Sequence, residues 1–244
     1  MRFTLSLLLA AAAWAQPPQP PPPMNAVPPL AQANRLINDY ADLRMFAADN
    51  AKVAPPAAGE ERVVFMGDSI TIGWGRGGSS FFPGKPYINR GISGQVTAQM
   101  LLRFYPDVIA LKPKAVVILA GTNDIGGNIG PVANETIQNN LAAMADMAKA
   151  NGIKVVFSSV TPVCDCTRTQ TMGRPPERIN GANKWLKEYA ARNGHIYLDY
   201  FSAMSDEKGM LKAELTGDGL HFNAAGYAIM GPLAEKALAQ ALKN

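Results

Sequence analysis

Histidine and cysteine are scarce in this chain. It has two of each, His195 and His221, and Cys164 and Cys166. No other Cys and no nearby His stands beside Cys164-Asp165-Cys166 to complete a ligand set, so a metal site is not expected at that pair. Lys and Arg never run to five in a row and the net charge is only +4, so the electrostatic footprint of a nucleic-acid binder is missing. No apolar stretch approaches the roughly 20 residues needed to span a bilayer.

What remains is a chain of 244 residues, 48% apolar and 17% charged, enough for one or two domains with a sizeable core. Its beginning reads as a targeting segment. Arg2 supplies positive charge, residues 5–13 form a short apolar run, and Ala13-Trp14-Ala15 offers a small-x-small cleavage site. The expectation is a signal peptide over 1–15 and an exported protein, periplasmic or secreted. Removing Arg2 with it leaves 22 basic against 19 acidic residues, a net +3. Residues 16–29 are dominated by proline, which fixes φ and lacks an N–H, so an extended tether is expected there. Residues 34–52 carry apolar positions at helical spacing and read as an accessory helix, with a Pro- and Ala-rich link over 53–59. The segment 16–59 is therefore linker plus accessory helix, and 60–244 the main domain.

From Arg62 onward, strand patterns alternate with helical ones. Apolar runs at 63–66, 87–89, 115–120, 154–159 and 195–199 are separated by helical spacing near 95–105, 132–150 and 177–193, with a last helix over 223–242. The run at 115–120 is continuously apolar, as a strand buried on both faces should be. This alternation predicts an α/β fold, a flavodoxin-like three-layer α/β/α sandwich around a parallel five-stranded sheet. In such sheets ligands bind beyond the carboxyl ends of the strands.

Four short segments fall at those ends: Gly67-Asp68-Ser69, Gly91-Ile92-Ser93-Gly94, Gly121-Thr122-Asn123-Asp124 and Asp218-Gly219-Leu220-His221. They hold the parts of a serine esterase. Ser69, at a strand-to-helix turn, needs a base to take its proton. His195 opens a core strand, so elimination leaves His221 as that base. Asp218, three residues earlier, is within reach of Nδ1 and can fix the tautomer. The backbone N–H groups of Ser69 and Gly94 and the side-chain amide of Asn123 can hold an oxyanion, each such donor being worth roughly 3–4 kcal/mol in the transition state. Asp68 and Asp124 read as acceptors that stabilise the loops.

These segments resemble the four blocks of the SGNH subgroup of the GDSL lipase/esterase family, over residues from about 62 to the C-terminus. The family shows G-D-S, a Gly, G-x-N-D and D-x-x-H in that order, and all four are matched here. The order Ser, Asp, His also occurs in α/β-hydrolases. Those carry G-x-S-x-G and an acid on a separate loop, whereas here Ser69 is followed by Ile70 and Thr71. The resemblance implies an ester hydrolase working through an acyl-serine, with Ser69, Asp218 and His221 catalytic and Ser69, Gly94 and Asn123 as oxyanion hole. It implies neither metal nor organic cofactor, and a small-molecule or carbohydrate ester as partner, acetyl esters first. A lysophospholipase or thioesterase on the same site, or a noncatalytic carbohydrate-binding module, are the alternatives.

Trp74, with Phe81 and Phe82, is a candidate to line an acyl pocket or stack on a sugar, set against simple aromatic packing. Cys164 and Cys166 are either free loop thiols or a local bridge that export would permit. They lie in a long loop over 161–176 at the site end of the sheet, where a rim or lid is expected. That loop carries Arg168 and Arg174, and Arg76 lies in the loop after Ser69, groups suited to a polar leaving group.

Overall fold

A computed structural model describes residues 30–243. The expected signal segment and the Pro-rich stretch that follows it lie outside the described residues. Five parallel strands, β1 (Val63–Gly67), β2 (Tyr87–Gly91), β3 (Ala115–Leu119), β4 (Lys154–Ser158) and β5 (Ile196–Leu198), pair in the order β2-β1-β3-β4-β5. This is the flavodoxin-like order, whose switch point lies between β1 and β3.

The side-chain alternation of each strand feeds two cores. Val64, Met66, Val116, Ile118, Val155 and Phe157 pack toward α4 (Thr97–Asp107), α6 (Asn134–Ala150) and α7 (Pro176–Asn193). Val63, Phe65, Val117, Leu119, Val156 and Leu198 point the other way, toward α8 (Tyr200–Met204) and α9 (Ala224–Lys243). Both faces of the sheet are covered, and that is why the central strands are continuously apolar. Within the first core, Arg103 is fully buried. It donates to Asp107 at 2.9 Å, to the Gly67 carbonyl at 3.0 Å and to the Gln95 side chain, which anchors the end of β1 to the loop after β2.

The accessory segment departs from expectation. One helix over 34–52 is not formed. Instead α1 (Leu30–Asn38) and α2 (Ala47–Asn50) flank a turn. The Asp39 carboxylate accepts from the backbone N–H groups of Leu43 and Arg44, and Asp42 has φ +53°, so local side-chain bonding outcompetes helix continuation. The segment is tied to α4 and its approach. Gln95 and Gln99 donate to the carbonyls of Ala41 and Tyr40, and Asn50 donates to Asp107 at 2.7 Å.

Candidate active site

β1 ends at Gly67, and Asp68 caps the short α3 (Ser69–Gly73) by accepting from the Ile70 N–H at 2.9 Å. Ser69 is thereby placed on the first residue of that turn. The Tyr227 hydroxyl, reaching over from α9, donates to the Ile70 carbonyl at 2.8 Å and fixes α3 from the other side. At the far end of the chain, the loop before α9 folds around Asp218. Its Oδ1 accepts from the backbone N–H groups of Leu220 (3.0 Å) and His221 (2.8 Å), and its Oδ2 lies 2.7 Å from His221 Nδ1. Thr216 closes the loop by donating to the His221 carbonyl at 2.7 Å. Gly219 is required there. Its φ is +85°, and a Cβ would lie 2.2 Å from the Cys164 carbonyl oxygen.

The two ends meet: His221 Nε2 lies 2.9 Å from Ser69 Oγ. With Nδ1 donating to Asp218, Nε2 is left as the acceptor for the serine proton. Burial pushes the Asp218 carboxyl up, but the bonds from the His221 ring and the loop N–H groups outweigh it and hold the group down at about 2. It is the anionic partner that an imidazolium needs.

Asn123 follows β3, in the short helix α5 (Thr122–Ile125). Its Nδ2 donates to the Gln95 carbonyl at 3.0 Å and makes a longer 3.3 Å contact with Asp68 Oδ2, so one of its hydrogens is only loosely held. Its Oδ1 accepts from Asn128 Nδ2 at 3.0 Å, which fixes the orientation of the amide. The same Asn128 nitrogen donates to the Gly94 carbonyl at 3.1 Å. Gly94 has φ +78°, a left-handed conformation that favours glycine. Asn128 thus ties two of the three candidate oxyanion residues together. It stands outside the four motif segments, five positions after Asn123, and only its place in a Gly-rich turn hinted at it. Asp124 binds the same two loops, accepting from the Thr97 N–H and hydroxyl at the start of α4.

Asp68 is fully buried. Desolvation raises its carboxyl to about 6, against the lowering effects of the Ile70 N–H and His221. His195 immediately precedes β5, at the amino end of that strand, and its ring lies against Phe157 and Tyr189. Burial and Lys149 lower its pKa, with Asp146 opposing.

Trp74 is corrected from a substrate contact to a core residue. It is 5% exposed, stacks on Tyr227, meets Phe65 edge-on and donates to the Ser80 carbonyl at 3.1 Å. One edge of it lines a cleft of about 440 Å³ between the 78–85 loop and α9, but Ser69, Asn123 and His221 do not line that cleft. Cys164 and Cys166 form a disulfide, the second of the two sequence readings. The 159–175 loop containing it is stitched to the His221 loop, because Cys164 N donates to the Gly219 carbonyl (2.9 Å) and Gln170 to that of Asp218 (3.0 Å).

The profile of the GDSL-like Lipase/Acylhydrolase family matches residues 65–229. A solved GDSL-like lipase from Bacteroides thetaiotaomicron is 40% identical, with a TM-score of 0.79 over 84% of this chain and all of that one. A lipase/acylhydrolase from Enterococcus faecalis is 25% identical, with a TM-score of 0.62 over 74% of this chain and 96% of that one. Axe2, an acetylxylan esterase from Geobacillus stearothermophilus solved as a D191A mutant, shares the fold at 21% identity and a TM-score of 0.60, covering 76% and 96%. An uncharacterized lipoprotein of Bacillus subtilis, YqeF, is 30% identical over 114 residues, which are 42% of this chain and 46% of that protein. The match therefore spans about half the length of that curated relative.

Proposed function

This chain belongs to the GDSL-like lipase/acylhydrolase family, a family of ester hydrolases, and we propose that it is an exported hydrolase that removes short acyl groups, acetyl above all, from small-molecule or carbohydrate esters. The observation that carries this reading is the unbroken chain Asp218 Oδ2, His221, Ser69 Oγ, with contacts of 2.7 and 2.9 Å. His221 Nε2 takes the Ser69 proton as Oγ attacks the ester carbonyl. The Ser69 and Gly94 N–H groups, with the loosely held hydrogen of Asn123, receive the oxyanion. The imidazolium, steadied by Asp218, returns its proton to the leaving alcohol, and water then releases the acid from Ser69 by the same route in reverse. The acetylxylan esterases of this fold support the acetyl reading, as do the polar residues of the 159–175 loop. The signal-like N-terminus supports export.

An organophosphonate should give one adduct per chain, on the peptide containing Ser69. Labelling elsewhere with Ser69 untouched sinks the assignment. Turnover of 4-nitrophenyl acetate should exceed that of the butyrate and octanoate esters in kcat/KM. A steady rise through octanoate favours the lysophospholipase-type reading instead.

A further inference from the structure

Arg174 is the one loop arginine of the 159–175 segment that the fold carries into the site. Its Nε donates to Thr122 Oγ1 at 3.2 Å, Nη1 to Gln170 Oε1 at 3.2 Å, and Nη2 to Asn123 Oδ1 at 3.5 Å. All three partners are neutral side-chain oxygens, and all three contacts are long. Other partly or fully buried arginines are satisfied differently. Arg62 and Arg103 hold carboxylates at 2.8 and 2.9 Å, Arg178 holds the Val132 carbonyl at 2.8 Å, and Arg90 holds the Asn89 carbonyl and lies over Phe46. No carboxylate stands within ion-pair distance of Arg174 among the described residues. The two whose fields reach it, Asp68 and Asp218, are occupied by other donors: Ile70 and Asn123 for the first, His221 and Leu220 for the second.

The guanidinium packs against Gly126. Gly126 has an ordinary helical backbone, φ −70°, that any residue could adopt. A Cβ there would lie 2.8 Å from Nη2 and 2.9 Å from Cζ of Arg174. The space beside this glycine is filled by the end of the Arg174 side chain, a cation with unspent donors. A guanidinium has five N–H groups in a planar fork, and three single contacts leave part of that fork open. Gln170, which holds Nη1, also donates to the Asp218 carbonyl. Through Thr122, Asn123 and Gln170 the cation therefore bridges the Asn123 turn and the loop that carries Asp218 and His221.

We propose that Arg174 forms a subsite for an anionic group, a carboxylate in the first instance, on the alcohol part of the ester. This rests on the hydrolase reading above and narrows its substrate class to esters of acidic alcohols, such as acylated hydroxy acids or uronate-bearing sugars. Arg174 is a specificity residue here and takes no part in proton transfer.

The test compares 4-carboxyphenyl acetate with its neutral isostere 4-carbamoylphenyl acetate, in the wild type, R174Q and R174K. Replacing Arg174 disturbs Asn123 as well, so both esters lose kcat/KM together to some degree. The readout is the additional loss on the carboxylate ester, in which the intrinsic reactivities of the two esters cancel. A charge-assisted contact predicts an extra loss of about 10- to 100-fold in R174Q, with R174K between. Equal losses on both esters overturn the subsite and leave Arg174 as a positioning residue for Asn123. An anion preference that appears only when the charge is on the acyl side, in mono-4-nitrophenyl glutarate against 4-nitrophenyl butyrate, overturns the leaving-group placement. Calorimetry with the products reads the subsite without turnover. Wild type should bind 4-hydroxybenzoate more tightly than 4-hydroxybenzamide, and R174Q should lose the difference. If that binding holds but no ester is turned over, the hydrolase reading fails and the anion site stands. If wild type binds both products equally, the site itself is refuted.

Discussion

Asp218→Asn separates the tautomer-setting role of the carboxylate from its structural one, because its two oxygens do different things. Oδ1 accepts from the N–H groups of Leu220 and His221, while Oδ2 alone faces the His221 ring. An asparagine can keep its carbonyl oxygen at the Oδ1 position, preserving the loop. Its NH2 then replaces Oδ2 and forces Nδ1 to accept. The ring proton moves to Nε2, which can no longer take the Ser69 proton. The expected loss is about 10⁴ in kcat, or roughly 5 kcal/mol of transition-state stabilisation, with the loop bonds kept and stability at pH 7 lowered only by the loss of the carboxylate's charge. Asp218→Ala removes the loop bonds too. At about 1 kcal/mol per backbone bond it should cost about 2 kcal/mol, or roughly 4–8 °C in Tm for a domain of this size. The two variants should therefore be similarly inactive and differ in stability. There is also a pH signature. The folded carboxyl sits at about 2 against an ordinary 3.8, so its contribution to stability is present above pH 4 and fades as pH falls toward 2. Asp218→Asn should lack that acid limb. Turnover of 4-nitrophenyl acetate and melting curves from pH 2 to 7 test all of this. An asparagine variant within tenfold of wild-type kcat, correctly folded, would refute the tautomer argument.

Asn128→Ala should lower kcat by about tenfold or more with KM little changed, since it frees two oxyanion residues that matter chiefly in the transition state; a pure rise in KM would contradict this. Asp68, raised to about 6 in the folded state, binds protons that the unfolded chain has lost between pH 4 and 6, so wild-type stability should fall across that window. The full span is about 3 kcal/mol, and urea titrations of Asp68→Asn should show that slope flattened. His195→Ala should retain turnover to within about threefold while losing some packing against Phe157 and Tyr189; a loss as deep as that of His221→Ala would undo the choice of base.

The sheet was readable because burial on both faces forces β1, β3 and the Val155–Phe157 stretch of β4 to be apolar, and because the helices between them keep their period. The four motif segments were readable because three sit where a strand stops and the fourth lies just before the last helix. What escaped detection depends on contacts between segments far apart. Asn128 gains its meaning only when the turn after α5 meets Gly94, and Arg174, named with Arg76 and Arg168 from the sequence, is singled out only by its contacts with Thr122, Asn123 and Gln170. The break at Asp39 was hidden because a carboxylate competing for backbone N–H groups leaves the apolar spacing of 34–52 intact. Trp74 looked like a substrate contact because its Gly- and Ser-rich neighbours suggested an open loop beside Ser69, while the structure buries most of the ring and turns its one open edge to a cleft that Ser69, Asn123 and His221 do not line. The cysteine spacing fitted either a bridge or two thiols, and only the loop backbone decides.

Ser69 and His221 lie 152 positions apart, one at the exit of β1 and the other just ahead of α9. Neither can serve the other until α9 has docked, and α9 docks on a surface that includes β3, β4 and β5. The Ser69–His221 pair is thus complete only when α9 is in place. A nascent chain that has built only its first three strands holds Ser69 without His221. In refolding, ester turnover should lag behind the burst of secondary structure and rise only with burial of Tyr227, making the reaction a clock for the final assembly step.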